Sequence, residues 1–322
     1  MEFFQQVIGQ EKAVELLNQA VNQSRIAPAY LFAGSDGIGR SLTASCFIEL
    51  IFYNSLPPEK RAEKSAAIKK RIQLRNHPDL LWLEPTYLHN GERISAAEAA
   101  EKGVKRKAPP QIRLEQIREV SQFLGRPPLE ASRSFVVIEQ AESMAEAAAN
   151  GLLKTLEEPG KATIILIAPA IESLLPTLIS RCQRIPFNRL NSAAMEQVLT
   201  ATGNQEILQH PEVLSLAAGS PGEAIFAWQQ LQAIPEELLN KVRKAPQTLR
   251  QALDLARDID KNLDTEAQLW LADYLQQYYW QKFEHRGMIE KLERAKKMLQ
   301  KYAQPRLVWE VTFMEMAKSF VA

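Results

Sequence analysis

Ala29-Tyr30-Leu31-Phe32-Ala33-Gly34-Ser35-Asp36-Gly37-Ile38-Gly39-Arg40-Ser41 is the stretch on which the fold turns. An apolar run, a glycine-rich loop and the helical stretch Leu42 to Phe52 follow in the order that a phosphate-binding loop requires. Gly34 and Gly39 take the two glycine places of G-x-x-x-x-G-K-[ST], with Gly37 between them and Ser41 at the hydroxyl place. Arg40 stands where the pattern has lysine. A lysine ammonium is a compact point charge, whereas a guanidinium is planar and suited to a two-pronged contact, so the exchange is not conservative. Backbone N–H groups of the loop and the helix start at Ser41 still offer a positive dipole end to an anion. The expectation is a loop compatible with a phosphate and poor at hydrolysis. An ordinary tight strand-to-helix turn is the alternative.

The 322 residues are 46% hydrophobic and 24% charged, an ordinary globular composition with room for two or three domains. A formal net charge of +1 gives no whole-protein field toward nucleic acid or membrane. Cys46 and Cys182 are the only cysteines, too few for a disulfide framework or a four-cysteine zinc site. Met1 to Gln6 lacks a basic and apolar leader, and no run approaches the roughly 18 apolar residues of a membrane span. These features predict a cytoplasmic protein.

Val14, Leu17 and Val21 lie at helical spacing before Pro28, and 57–75 reads as a charged helix with a solvated face. Asp79 to Pro85 reads as a buried strand, and 86–110, with Gly91, Gly103, Pro109 and Pro110, as an exposed, mobile loop. Then come a helical stripe from Leu114 to Leu124, the apolar strand Ser134 to Ile138, a helix from Met144 to Leu156, the strand Thr163 to Ala168 and the strand Arg184 to Phe187. Strands alternating with helices predict an α/β fold with a parallel sheet covered on both faces, ending near Phe187. Glu139 and Gln140, just past the second apolar strand, occupy the places where a nucleotide hydrolase keeps a magnesium-binding aspartate and a water-orienting glutamate. Beyond 188 only helical patterns recur. Trp270, Tyr274 and Tyr278 repeat every four residues, and Ile289, Leu292, Ala295 and Leu299 form a stripe flanked by the pairs Glu290 with Arg294 and Glu293 with Lys297.

Val7-Ile8-Gly9-Gln10, the Ala29 to Ser41 strand and loop, Asn76-His77-Pro78-Asp79, Ile112-Arg113, Asn150 to Pro159 (Asn-Gly-Leu-Leu-Lys-Thr-Leu-Glu-Glu-Pro) and Ser180-Arg181-Cys182 carry, in that order, a likeness. The sequence resembles the clamp-loader branch of the AAA+ ATPases, strongly over 3–190. The resemblance implies an AAA+ nucleotide-binding-like domain over 1–187, a small helical lid over 188–230 and an all-α collar over 231–322 that assembles with sister subunits of the delta and gamma/tau kinds. It implies a place in DNA replication, within the nucleotidyltransferase complex of a bacterial polymerase, with the sliding clamp and primed DNA met through the complex.

Set against that family, Arg40 replaces lysine, Glu139 aspartate, Gln140 glutamate and Gly222 a lid arginine, while Ala168 and Pro169 stand where Asn or Thr is usual. Each lost charge-assisted phosphate contact costs roughly 1.5–3 kcal/mol, so together they predict a subunit without ATPase activity of its own and with at most weak ATP and magnesium binding. Relatives often carry a four-cysteine zinc module before the position of His77; this chain has no cysteines there, so no zinc is expected. Arg181 takes the place of an arginine that completes a neighbour's ATP site in trans. Bare sequence leaves open that it only pairs with a local carboxylate. An active ATPase tolerating Arg40 is the runner-up. A nucleic-acid module on Lys102, Lys105, Arg106 and Lys107 ranks last at a net charge of +1.

Overall fold

The computed structural model describes residues 2–102, 104, 109–158 and 160–321, so Gly103, the Lys105-Arg106-Lys107 patch and Pro159 lie outside the described residues. The chain divides into two compact units, Met1–Val198 and Leu199–Ala322.

The first unit runs α1 (Glu11–Asn22), β1 (Ala29–Ala33), α2 (Arg40–Ser55), α3 (Pro58–Gln73), β2 (Leu80–Leu83), β3 (Tyr87–His89), β4 (Glu92–Ile94), α4 (Ala96–Glu101), α5 (Leu114–Leu124), β5 (Ser134–Ile138), α6 (Glu146–Glu157), β6 (Ala162–Ala168), α7 (Pro176–Ile179) and β7 (Gln183–Pro186). Five strands form one parallel sheet in the order β2-β5-β6-β1-β7. Every residue of β1, β5 and β6 is buried, as a central parallel strand covered on both faces must be. The strand period of two sorts those residues between the faces. Leu31, Val136, Ile138, Ile164 and Leu166 pack with Ile117 and Val120 of α5 and Leu152 and Leu156 of α6. On the other face Tyr30 meets Phe47 of α2 edge-on at 5.4 Å, and Phe135 meets both Phe47 and Phe52.

Two readings of this region change. The run from Asp79 to Pro85 is the edge strand β2, with Leu81 and Trp82 only half-buried, because the sheet continues on one side of it alone. The stretch after Pro85 is built rather than open: β3 and β4 pair antiparallel around Asn90 and Gly91, both left-handed at φ 51° and 84°. That is the Asn-Gly turn that suits a tight hairpin. Thr86 and Gln111 exchange backbone hydrogen bonds of 3.0 and 3.1 Å and close the excursion at its base. Three-residue strands are too short to show an apolar alternation.

The second unit holds α8 (Ser192–Ala201, shared with the end of the first), α9 (Pro211–Ala217), α10 (Pro221–Ala233), α11 (Glu236–Val242), α12 (Leu249–Asn262), α13 (Thr265–Phe283), α14 (Arg286–Gln300) and α15 (Pro305–Val321). Starts are set by sequence: Ser220 accepts from the Glu223 N–H, Thr248 and Gln251 form a reciprocal capping box, and Asp264 accepts from the Ala267 N–H at 2.8 Å. Trp270 and Tyr274 are core, as their spacing predicts, while Tyr278 is half-buried. The α14 stripe runs through Met288 rather than Ile289. Glu293 pairs with Lys297, but Glu290 pairs with Arg286 and Arg294 reaches across to Glu315 on α15, since packing brought a better-placed carboxylate than the same-helix one. Trp309 is fully buried and donates from Nε1 to Gln268 Oε1 at 2.8 Å.

Candidate functional site

The loop Gly34 to Ser41 leaves the C-terminal end of β1. Gly34 is there because nothing larger fits: a Cβ would meet the Phe187 carbonyl oxygen at 2.6 Å and Phe187 Cβ at 2.8 Å. Gly39 is left-handed at φ 99° and precedes the first helical residue, Arg40. Below the loop, buried Gln10 donates from Nε2 to the Ile38 carbonyl at 3.1 Å and the Asn188 carbonyl at 2.7 Å, and accepts from the Asn188 N–H. One amide thus ties the loop to the chain leaving β7. Gly9 lets it in, since a Cβ there, at φ 74°, would stand 2.9 Å from Leu190 Cγ.

Arg40 turns back into its own loop. Its side chain is 7% exposed and its Nη2 binds Asp36 Oδ1, an i,i+4 ion pair, while Nη1 is buried with no hydrogen-bond partner among the described residues. Past β5, Glu139 is half-buried and Gln140 is exposed in a left-handed turn at φ 46°. Glu142, in the next turn, closes the group. Desolvation pushes its carboxyl up, the negative charges of Asp36 and Glu139 add to the rise, and Arg40 opposes it. Three carboxylates therefore share the field of one guanidinium. These residues fit a magnesium triphosphate poorly: the loop cation is already paired, and the surrounding charge is of the wrong sign for phosphate. No group of three or more His, Cys, Asp or Glu side chains among the described residues is placed to hold a metal ion.

The shift at Glu142 has a sign that can be read. A carboxyl whose folded pKa is raised binds its proton more tightly in the native state, so stability is lost as pH rises through the window above the ordinary carboxylate value. Glu142→Gln is expected to raise stability at pH 7, by less than about 1 kcal/mol for so exposed a group, and with it the melting temperature. The gain should shrink toward pH 4, and thermal unfolding at the two pH values checks it; a loss at pH 7 would refute it.

Arg181 lies between α7 and β7. Nη2 binds Glu157 Oε1 at 2.6 Å and Nη1 donates to the Thr177 carbonyl at 3.0 Å. The local carboxylate partner that the sequence left open is therefore present, and it is the first Glu of Leu156-Glu157-Glu158. Cys182 beside it packs against the sheet core, and burial pushes its thiol up to about 12, so it is a packing residue. Register decides what Arg181 can reach. β7 runs parallel to β1 with Gln183 beside Tyr30 and Pro186 beside Ala33, so Arg181 stands before the start of β7, at the end of the sheet opposite the glycine loop. Gln183, level with Tyr30, is four strand steps or about 13 Å short of the level of Gly34, and Arg181 precedes it in the turn that leaves α7. The structure does not bring Arg181 together with Gly34, Gly37, Gly39, Arg40, Ser41, Glu139 and Gln140. Ala168 ends β6, and Gly222 lies in the first turn of α10, in the second unit.

The comparisons with known proteins follow the same division. A family profile described as "DNA polymerase III, delta subunit" matches 9–191, and one described as "Cyanobacterial DNA polymerase III delta prime, C-terminal domain" matches 193–316. The chain belongs to the DNA polymerase III delta-prime family. The delta-prime subunit of Bacillus subtilis is 32% identical over 191 residues, 59% of this chain and 51% of that protein, so the match spans about half of that relative's length. The delta-prime subunit of Pseudomonas aeruginosa is 31% identical over 244 residues, covering 74% and 66%. A crystal structure of a gamma-subunit-related protein from Thermotoga maritima superposes with TM-score 0.55 at 17% identity, covering 95% of this chain and 99% of that one, a likeness of fold alone. That likeness covers the parallel sheet and the helical C-terminal region together.

Within the family frame, four site residues were not legible as such. Asp36 was signalled only by its i,i+4 spacing to Arg40. Gln10 and Glu157 sat inside motifs without a role. Glu142 was visible as an acid but not as part of the Arg40 group, because the sheet, not the chain, brings them together.

Proposed function

We propose that this chain is a clamp-loader subunit of the DNA polymerase III holoenzyme, a stator that hydrolyses no ATP itself and lends Arg181 to a neighbouring ATPase subunit. The observation that carries the reading is the separation just described. Arg181 is an exposed guanidinium at the far end of the sheet from its own degenerate loop, so a phosphate it serves belongs to another chain. Its partners are delta and gamma/tau subunits, with sliding clamp and primed DNA met through the complex, in the cytoplasm. The parts are a nucleotide-binding-like domain to 187, a lid to 230 and a collar to 322. The collar assembles the complex; of its aromatic residues Trp270, Tyr279 and Trp309 are core, Tyr278 is half-buried and Trp280 is 54% exposed. No helix among the described residues is long and apolar enough to cross a membrane.

The partnerless Nη1 of Arg40 favours one second reading, a nucleotide-binding ATPase in which a phosphate oxygen satisfies that donor, since a buried unsatisfied donor costs about 1–3 kcal/mol. The two readings separate in one measurement. The isolated chain with ATP and magnesium should release no phosphate above a contaminant control, and neither ATP nor a phosphate analogue should raise its melting temperature. Phosphate release abolished by Ser41→Ala would instead establish the active ATPase.

A further inference from the structure

The second unit contains a cavity of about 660 Å³ between α9, α10 and α11, inside the range of natural ligand pockets. Its apolar wall is Trp228, Leu231 and Leu239. Trp228 is fixed in place: its ring lies tilted against His210 at 4.2 Å and its Nε1 donates to Glu206 Oε1 at 2.9 Å. Arg243, which caps α11, forms the charged wall. Its Nε donates to the Tyr274 hydroxyl at 2.7 Å, and its guanidinium lies over the Tyr274 and Tyr278 rings at 5.6 and 5.4 Å. The fork is thus held in one direction while no carboxylate among the described residues pairs with it. Glu212, Glu236 and Asn240 are among the polar groups of the lining.

We propose that this cavity is a peptide-docking site for a partner segment that carries an acidic residue beside an apolar one. The placement of charge chooses among ligands. A polyphosphate or nucleic-acid backbone would set several negative charges beside Glu236 and Glu212, which lies 3.6 Å from His210 Nδ1, whereas a single carboxylate can meet Arg243 alone, and a purely apolar ligand would leave Arg243 desolvated and unpaired. An extended peptide answers each wall: its carboxylate takes the two free Nη groups of Arg243 as a bidentate pair, its apolar side chain covers Trp228 and Leu231, and its N–H groups donate to Glu212 and Glu236.

The test uses the full chain and three fluorescein-labelled probes, acetyl-Leu-Asp-Phe-amide and its Asp→Asn and Asp→Lys counterparts, by anisotropy. The Asp probe should bind, the Asn probe about tenfold more weakly and the Lys probe not measurably, as the loss of a charge-assisted pair requires. Arg243→Gln should bring the Asp probe down to the affinity of the Asn probe. Because Arg243 also holds Tyr274, Leu231→Asp is the second arm: it leaves that contact intact, should keep the melting temperature and should still weaken the Asp probe at least tenfold. Equal affinity for the three probes, no binding up to millimolar concentration, or indifference to Leu231→Asp would overturn the proposal. So would oligothymidylate binding that is lost in the same variants.

Discussion

With Arg181 in the proposed role, Arg181→Ala in the reconstituted complex is expected to lower ATP hydrolysis at the neighbouring site it serves by about 10³–10⁵-fold, the range for removal of an arginine supplied in trans. In a loose phosphoryl-transfer transition state, charge spreads over several oxygens, and a fork of N–H donors stabilises it more than it stabilises bound ATP. The effect therefore falls on turnover and spares ATP affinity. The rate of the whole complex falls only by the share of that site. Arg181→Lys rescues little, because a point charge lacks the planar fork.

Glu157 separates this role from a merely structural one. In the free chain the pair of Arg181 with Glu157 is exposed at 36% and 54%, which caps its contribution to stability at about 1 kcal/mol or less. If Arg181 were an ordinary salt-bridge residue, Glu157→Gln and Arg181→Ala would behave alike. As a donor in trans, Arg181 must leave Glu157 when it meets a phosphate, so Glu157→Gln should keep or raise the ATPase rate that Arg181→Ala destroys. Steady-state and single-turnover rates of complexes carrying each variant, with assembly checked by gel filtration, decide it. Equal rates for wild type and Arg181→Ala would end the proposal.

Asp79→Ala should be the most destabilising single change in the first unit outside its apolar core. Asp79 is 2% exposed, and its carboxylate accepts three backbone N–H groups, from Leu129 at 2.6 Å, Glu130 at 2.8 Å and Ala131 at 2.7 Å. Removing it orphans three donors at once, for a cost of about 3–5 kcal/mol and a fall in melting temperature on the order of 10 °C. Asp79→Asn saves only part of this. An amide has one oxygen: with it in the Oδ2 place, accepting from Glu130 and Ala131, its NH₂ would face the Leu129 N–H that Oδ1 now accepts. The anchored turn carries Glu130, which forms a two-pronged pair with Arg71 at 2.8 and 3.1 Å. His77, stacked on Phe52 at 4.2 Å, closes the group; its burial and then Arg71 hold it below the usual histidine range, so acidification through that range also costs stability. Thermal unfolding of both variants checks the order, and a loss under 1 kcal/mol for Asp79→Ala would refute it.

Much of this fold is legible in the sequence. The strand, loop and helix around Gly34, the parallel order and the helical remainder follow from apolar period and glycine placement, because burial on two faces writes itself as unbroken apolar runs such as Phe135 to Ile138. The residues at the places of Arg40, Glu139 and Gln140 are likewise a matter of sequence, since lysine and arginine differ chemically wherever they stand. What the sequence could not determine is which charges meet. Arg294 pairs with Glu315 instead of Glu290, and Glu142 lies in the field of a loop about a hundred residues earlier, because pairs between elements follow distance in space and carry no period along the chain. The hairpin at Asn90-Gly91 escaped because two three-residue strands hold too few residues to alternate. The position of Arg181 at the end of the sheet opposite its own loop is set by the register of β7 on β1. Register is decided by which residues of two strands bury the same face, and only the assembled sheet contains that information.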